Sequence, residues 1–260
     1  MNQLNPSHRA FTLIEVLVVI SVVVLLMAIL LPSLFHAGAS ARSMQCRSNL
    51  RQLFVMAEAY SMRSDGRYPV AVRYERPGGT FTTIAWDWQH TSGGAGEEAT
   101  LGPLWRNVVE PGEVHQCPEF FGESTFGNDP YTGYNYNTTF IGGEAIFPNL
   151  GWASVRPGLP RAQWRRMETT AVFGDGGWSG GANKFMRAPL NTVEGNLFTV
   201  YAGGQAFRHD GATNICYLDG HTGSVAVPHE GPFATTQLLS IMGYPANGFL
   251  SEDDSAYDPR

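Results

Sequence analysis

The feature that most constrains this chain is an apolar run from Val16 to Leu31, relieved only by Ser21 and entered through Phe11-Thr12-Leu13-Ile14-Glu15. At about 1.5 Å rise per residue, a helix from Phe11 to Leu31 reaches roughly 31 Å, enough to cross the hydrocarbon core of a bilayer. Glu15 sits at the mouth of that helix. A carboxylate there costs on the order of a few kcal/mol unless it is paired, and such residues carry function by default.

A cut between Ala10 and Phe11 would supply the partner, because the new α-amino group of Phe11 is a cation at the head of the helix. Glu15 of a neighbouring copy could neutralise it, so that assembly removes two charges from lipid together. The polar leader Met1 to Ala10, the run Phe11-Thr12-Leu13-Ile14-Glu15, the apolar stalk and Pro32 just past it resemble the type IV pilin-like precursors, which include the pseudopilins of type II secretion systems. The resemblance implies that a prepilin peptidase and methyltransferase cuts before Phe11 and methylates its amine. It also implies that Glu15 guides assembly with other pilin-like subunits. Ala10 departs from the Gly usual in that family before the cut, but a small residue is kept. An ordinary secretory signal would instead be cut after Ala39-Ser40-Ala41. The length of the run and the acid inside it argue against that reading.

The remaining chain has room for one tethered globular domain. Residues 1–62 carry four Arg against two Glu, whereas residues 63–260 carry 13 basic against 21 acidic side chains, so nucleic acid is not an expected partner. Past Pro32, the spacing of Leu50, Leu53, Phe54, Ala57 and Tyr60 makes one apolar helix face, which predicts a helix continuing to about Arg63 and stopped by Ser64-Asp65-Gly66. Short β-prone runs then alternate with Gly-, Pro- and Asn-rich spacers. They predict strands at Phe81–Trp86, Val114–Cys117, Tyr131–Tyr136, Thr170–Gly174, Leu197–Tyr201, Asn214–Leu218 and Ser224–Val227, a short helix at Ala234–Met242 and a loosely held acidic tail from Ser251 to Pro259. The expected fold class is α+β, a long N-terminal transmembrane and stalk helix packed on an antiparallel β-sheet head, as in pilins. Its divisions are a leader over 1–10, a membrane helix over 11–32, a stalk over 33–63 and the head over 64–260.

Two clusters hold residues able to do chemistry. His209 precedes Asp219-Gly220 by nine residues. That spacing resembles the C-terminal signature of a pilin-like subfamily found largely in planctomycetes and their relatives, whose biochemical role is not established. Physically, Asp219-Gly220 reads first as a hairpin turn. A second reading joins Asp175, His209, Asp219 and His221 as ligands of a divalent metal. Cys46 on the stalk and Cys117 after a strand could form a bridge worth about 4 kcal/mol in the chain-entropy model, the alternative being three buried reduced cysteines with Cys216. Trp86, Trp88, Trp105, Tyr131, Tyr134 and Tyr136 suit core packing better than a carbohydrate platform.

No elbow motif for a nucleophile is present, so the reading is a structural subunit rather than an enzyme, with no cofactor required. Inner-membrane lipid is its first partner, in a single pass with the head periplasmic, and a fibre or the cell surface is its destination. The alternative is a membrane-tethered metal-dependent hydrolase or glycan-binding protein using the same anchor.

Overall fold

A computed structural model describes residues 12–76, 79–92, 99–106, 114, 116–122, 129, 133–146, 153–179, 181–191 and 196–260. It contains two compact units, one ending at Ala41 and the other running Arg42–Arg260. Helix α1, Leu13–Ser61, contributes to both. In the first unit its Leu, Val and Ile side chains are exposed on every side, and the helix is long and apolar enough to cross a membrane. Two of its hydroxyls are satisfied within the helix: Ser21 Oγ donates to the Leu17 carbonyl at 2.7 Å and Ser33 Oγ to that of Leu30 at 2.8 Å. Such bonds let a polar side chain sit in lipid without an orphaned donor.

In the second unit α1 becomes amphipathic, burying Cys46, Asn49, Leu50, Leu53, Ala57 and Ser61 at three- and four-residue spacing. Leu50 and Leu53 are fully buried and stabilise the unit by about 2 kcal/mol each. The helix stops where Asp65 and Gly66 turn to positive φ, 51° and 69°.

Strands β1 (Val72–Glu75), β2 (Phe81–Ala85), β3 (Trp88–Ser92) and β4 (Ala99–Leu101) form an antiparallel meander in that order. Then follow β5 (Tyr134–Asn137), the hairpin partners β6 (Gly143–Ile146) and β7 (Ser154–Pro157), β8 (Ala171–Asp175) and β9 (Phe185–Met186). Helix α2 (Leu197–Tyr201), β10 (Gln205–Ala206), β11 (Thr213–Tyr217), β12 (Thr222–Val225), helix α3 (Thr236–Met242) and β13 (Asn247–Gly248) complete the chain. The central sheet has the order β12-β11-β8-β5-β9 and is antiparallel except for β9, which joins β5 in parallel. Tyr134, Tyr136, Phe173, Ile215 and Cys216 of this sheet share one core with Cys46, Leu50, Leu53 and Ala57 of α1. The fold is therefore α+β with a long N-terminal apolar helix.

Several sequence expectations are corrected. Leu197–Tyr201 is a helix, because the Asn196 side chain caps it by accepting from Thr199 N at 3.4 Å, a local signal that outweighs the β-branched composition. Val114–Cys117 is not a strand among the described residues; Cys117 opens a turn closed by Phe120 N on its carbonyl. Tyr131 lies outside the described residues, while Trp86, Trp88, Trp105, Tyr134 and Tyr136 are all core.

The tail is docked rather than loose. Tyr257 is fully buried, its hydroxyl accepting from Leu250 N at 2.8 Å and its carbonyl from Asn137 Nδ2 at 2.9 Å. The Pro259 carbonyl accepts from Arg165 N and Arg166 N.

Lys184, the one lysine in the sequence, is buried just before β9. Its Nζ lies 2.7 Å from Asp87 Oδ1 and 2.6 Å from Asp129 Oδ2, over the rings of Trp86 and Trp88. Burial, opposed by Lys184 and reinforced by Asp129, pushes Asp87 up to about 7.

Two outcomes follow from this packing. Tyr257→Ala, measured by urea unfolding of the detergent-solubilised chain, should cost about 3–5 kcal/mol, the usual loss for deleting a buried aromatic, whereas an unchanged midpoint would return the tail to the surface. Asp87 binds its proton more tightly folded than unfolded, so its contribution to stability should fall as pH rises from about 4 to about 7. Asp87→Asn should remove that part of the melting-temperature decline, and an identical decline in both proteins would refute it.

Candidate functional site

Two places hold the residues singled out by the sequence. At the N-terminus, Ala10 and Phe11 lie outside the described residues. Glu15 is described, and its carboxylate folds back on the helix start. Thr12 N and Thr12 Oγ1 both donate to Glu15 Oε2 at 2.8 Å, and Glu15 N lies 3.3 Å from Thr12 Oγ1 as its donor. This is a capping box, Thr-x-x-Glu, in which the two residues satisfy each other's orphaned groups at the first turn. Sequence reasoning missed it, although the spacing of Thr12 and Glu15 is its signature. Glu15 is thus held locally in a single chain and remains exposed.

The second place is buried in the Arg42–Arg260 unit, where four elements converge. Cys46 comes from the buried stripe of α1 and Cys117 from the start of the turn that runs through Pro118 to Phe120. Asp175 is the last residue of β8, and His209 stands at the neck of a two-residue turn. That turn is Asp210-Gly211, with φ of 54° and 77°; His209 and Ala212 exchange backbone hydrogen bonds across it at 2.9 and 3.1 Å. Positive φ at both positions is what Asp-Gly supplies in a type I′ turn, and it aims the imidazole inward.

The four donor atoms all lie within 4.8 Å of one another, and all four residues are buried. Cys46 Sγ donates to Asp175 Oδ1 at 3.3 Å; His209 Nε2 is 3.2 Å from Asp175 Oδ2 and 3.5 Å from Cys117 Sγ. Asp175 Oδ2 also accepts from Asn214 N at 2.8 Å. The Asn214 side chain in turn meets Ser43 Oγ at 3.1 Å and Ser224 Oγ at 2.6 Å, tying α1, β11 and β12 to the cluster. Arg208 stacks over Phe120 and donates to the carbonyls of Gly133 and Gly176.

Each group's proton affinity is displaced by its neighbours. The neighbouring Cys46 side chain brings the Cys117 thiol down to about 6 against the effect of burial, with His209 and Arg208 assisting. Burial, then the neighbouring Cys117, raises Cys46. Burial alone would lower His209, but Asp175 and Cys117 raise it to about 9. Burial alone would raise Asp175, yet His209, Arg208 and Asn214 hold it below the ordinary carboxylate range. Such displacements mark a strongly interacting polar group rather than isolated core residues.

All three cysteines are free thiols in this structure, with Cys46 and Cys117 side by side and Cys216 apart in β11, where burial pushes it up to about 12. Of the metal set expected from sequence, Asp175 and His209 come together but Asp219 and His221 do not join them. Asp219 and His221 occupy the β11–β12 turn, half-exposed, with Asp219 Oδ1 2.6 Å from His221 Nδ1. Gly220 has φ of 88°, a Cβ there would meet Phe54 of α1 at 2.6 Å, and its carbonyl accepts from Arg51 Nη1 at 2.9 Å. The Asp-Gly turn therefore presses on the stalk helix, a structural reason for glycine at that position.

Comparison with known proteins bears on the first place. Residues 5–31 match the Prokaryotic N-terminal methylation motif. The Type IV major pilin protein PilA of Myxococcus xanthus (strain DK1622) is 28% identical over 65 residues, which is 25% of this chain and 30% of that protein. The chain thus matches less than a third of that relative's length. No solved structure matches. The chain carries a prepilin-type N-terminal methylation motif on a membrane-length helix, with weak homology to a type IV pilin.

Proposed function

We propose that the chain is a pilin-like structural subunit, cut before Phe11 by a prepilin peptidase, methylated there, and polymerised with other pilin-like subunits through its N-terminal helix. A type II secretion pseudopilus or a type IV pilus-like fibre is the assembly this reading calls for, with the head on the periplasmic side before export. The observation that carries it is the coincidence of the methylation motif over residues 5–31 with a helix whose apolar side chains are exposed among the described residues and that is long enough to cross a membrane. An apolar surface of that extent needs lipid or other copies of itself. The spacing of His209 and Asp219-Gly220 supports membership in the subfamily bearing that C-terminal signature.

The capping box adds a physical step. In the single chain Glu15 is occupied by Thr12, so pairing with the Phe11 amine of a neighbour exchanges one partner for another instead of exposing a bare carboxylate to lipid. The cut lies before the helix and does not use the carboxylate. Glu15→Ala should therefore leave cleavage and membrane insertion intact and abolish incorporation into sheared fibres. Thr12→Val, which removes the hydroxyl but not the acid, should keep incorporation. Wild-type fibre yield from Glu15→Ala would refute the pairing role.

A further inference from the structure

We propose that Cys46, Cys117, Asp175 and His209 form a structural zinc site that fastens the stalk helix to the central sheet. The cluster's own geometry and donor chemistry point to the ion whether or not the chain polymerises.

Tetrahedral zinc has bonds of about 2.3 Å to sulphur and about 2.0–2.1 Å to nitrogen or oxygen, which sets sulphur–oxygen and sulphur–nitrogen edges at about 3.5 Å and nitrogen–oxygen edges at about 3.3 Å. The corresponding separations here are 3.3 Å between Cys46 Sγ and Asp175 Oδ1, 3.5 Å between Cys117 Sγ and His209 Nε2, and 3.2 Å between His209 Nε2 and Asp175 Oδ2. These are three of the six edges of a zinc tetrahedron, the two at Asp175 measured to its two different oxygens, and one donor atom from each of the four residues lies within 4.8 Å of the other three.

Donor chemistry selects the ion. Two thiolates and an imidazole suit zinc and exclude calcium or magnesium, which want oxygen cages. Four protein ligands leave no open position for water, so the site is of the closed, structural kind and not the hydrolytic kind. Charge also balances: two thiolates, one carboxylate, a neutral imidazole and Zn²⁺ sum to one negative charge, and the Arg208 guanidinium beside Cys117 and Asp175 offsets it. Binding sends the thiol and imidazolium protons to solvent. An outer contact that orients a ligand is present at Asp175, whose Oδ2 accepts from Asn214 N.

A disulfide would use only two of the four groups and needs sulphurs about 2.05 Å apart, leaving Asp175 and His209 as a buried ion pair. Zinc uses all four.

The test is elemental analysis of the full chain purified in detergent under reducing conditions, stripped by a chelator, resupplied with zinc and desalted. One zinc per chain is expected, with cobalt substitution giving the visible bands and thiolate charge-transfer absorption of a tetrahedral two-sulphur site. Cys117→Ser and Asp175→Asn should lose the metal, while Cys216→Ser, outside the cluster, should keep it. His209→Cys, which preserves four ligands, should retain zinc and gain charge-transfer intensity, separating loss of a ligand from loss of the fold. No retained metal in the wild type would overturn the proposal, as would a Cys46–Cys117 disulfide found by non-reducing peptide mapping of the chain isolated from its own compartment.

Discussion

One helix serves two environments, and the rest of the molecule depends on how it changes between them. Up to Ala41, α1 presents apolar side chains on every side and is suited to lipid. From Arg42 onward it narrows to a stripe, and Cys46, Leu50, Leu53 and Ala57 enter the core shared with β5, β8 and β11. Most of a helix's stability in a folded domain comes from packing its apolar face, so the second half is fixed by tertiary burial more than by propensity. The same stripe carries the one α1 residue in the buried cluster, because Cys46 is its first member.

Polar contacts then set where the sheet meets that stripe. Asn214 on β11 reaches Ser43, the Gly220 carbonyl takes Arg51, and the Arg161 guanidinium pairs with Glu58 near the helix end. The exposed pair contributes little by itself, on the order of 0–1 kcal/mol. The buried contacts matter more, since an unmet polar group in the core costs about 1–3 kcal/mol. Asp175 illustrates the point: it is fully buried at the end of β8, and cysteine, histidine and backbone groups surround its carboxylate.

What the sequence made legible was whatever is local. The membrane-length run, the stop at Asp65-Gly66, the strands around Phe173 and Ile215 and the turn at Asp219-Gly220 all depend on adjacent residues, and the structure has them within a residue or two. The meander strand Trp88–Ser92 was not legible, because its alternation is weak and its inward residues include Trp88 beside His90. The buried cluster was only half legible. Asp175 and His209 could be named as potential ligands, but Cys46 and Asp175 are 129 positions apart and Cys117 and His209 are 92 apart, a separation no spacing rule reports. Asp219 and His221 looked close to His209 in sequence. The strand between them carries the turn roughly 16 Å away, at about 3.3 Å per residue, to the far end of the hairpin. His209 itself had a local signal, the Asp210-Gly211 turn that aims it.

Processing at the head of α1 decides whether this architecture is that of a pilin-like subunit. The most direct measurement is the mass of the N-terminal peptide from the chain isolated from cells that make their own prepilin peptidase. The account predicts a peptide that begins at Phe11 and carries one methyl group on its amine. A chain that keeps Met1 to Ala10, or one that begins at Arg42, would contradict it.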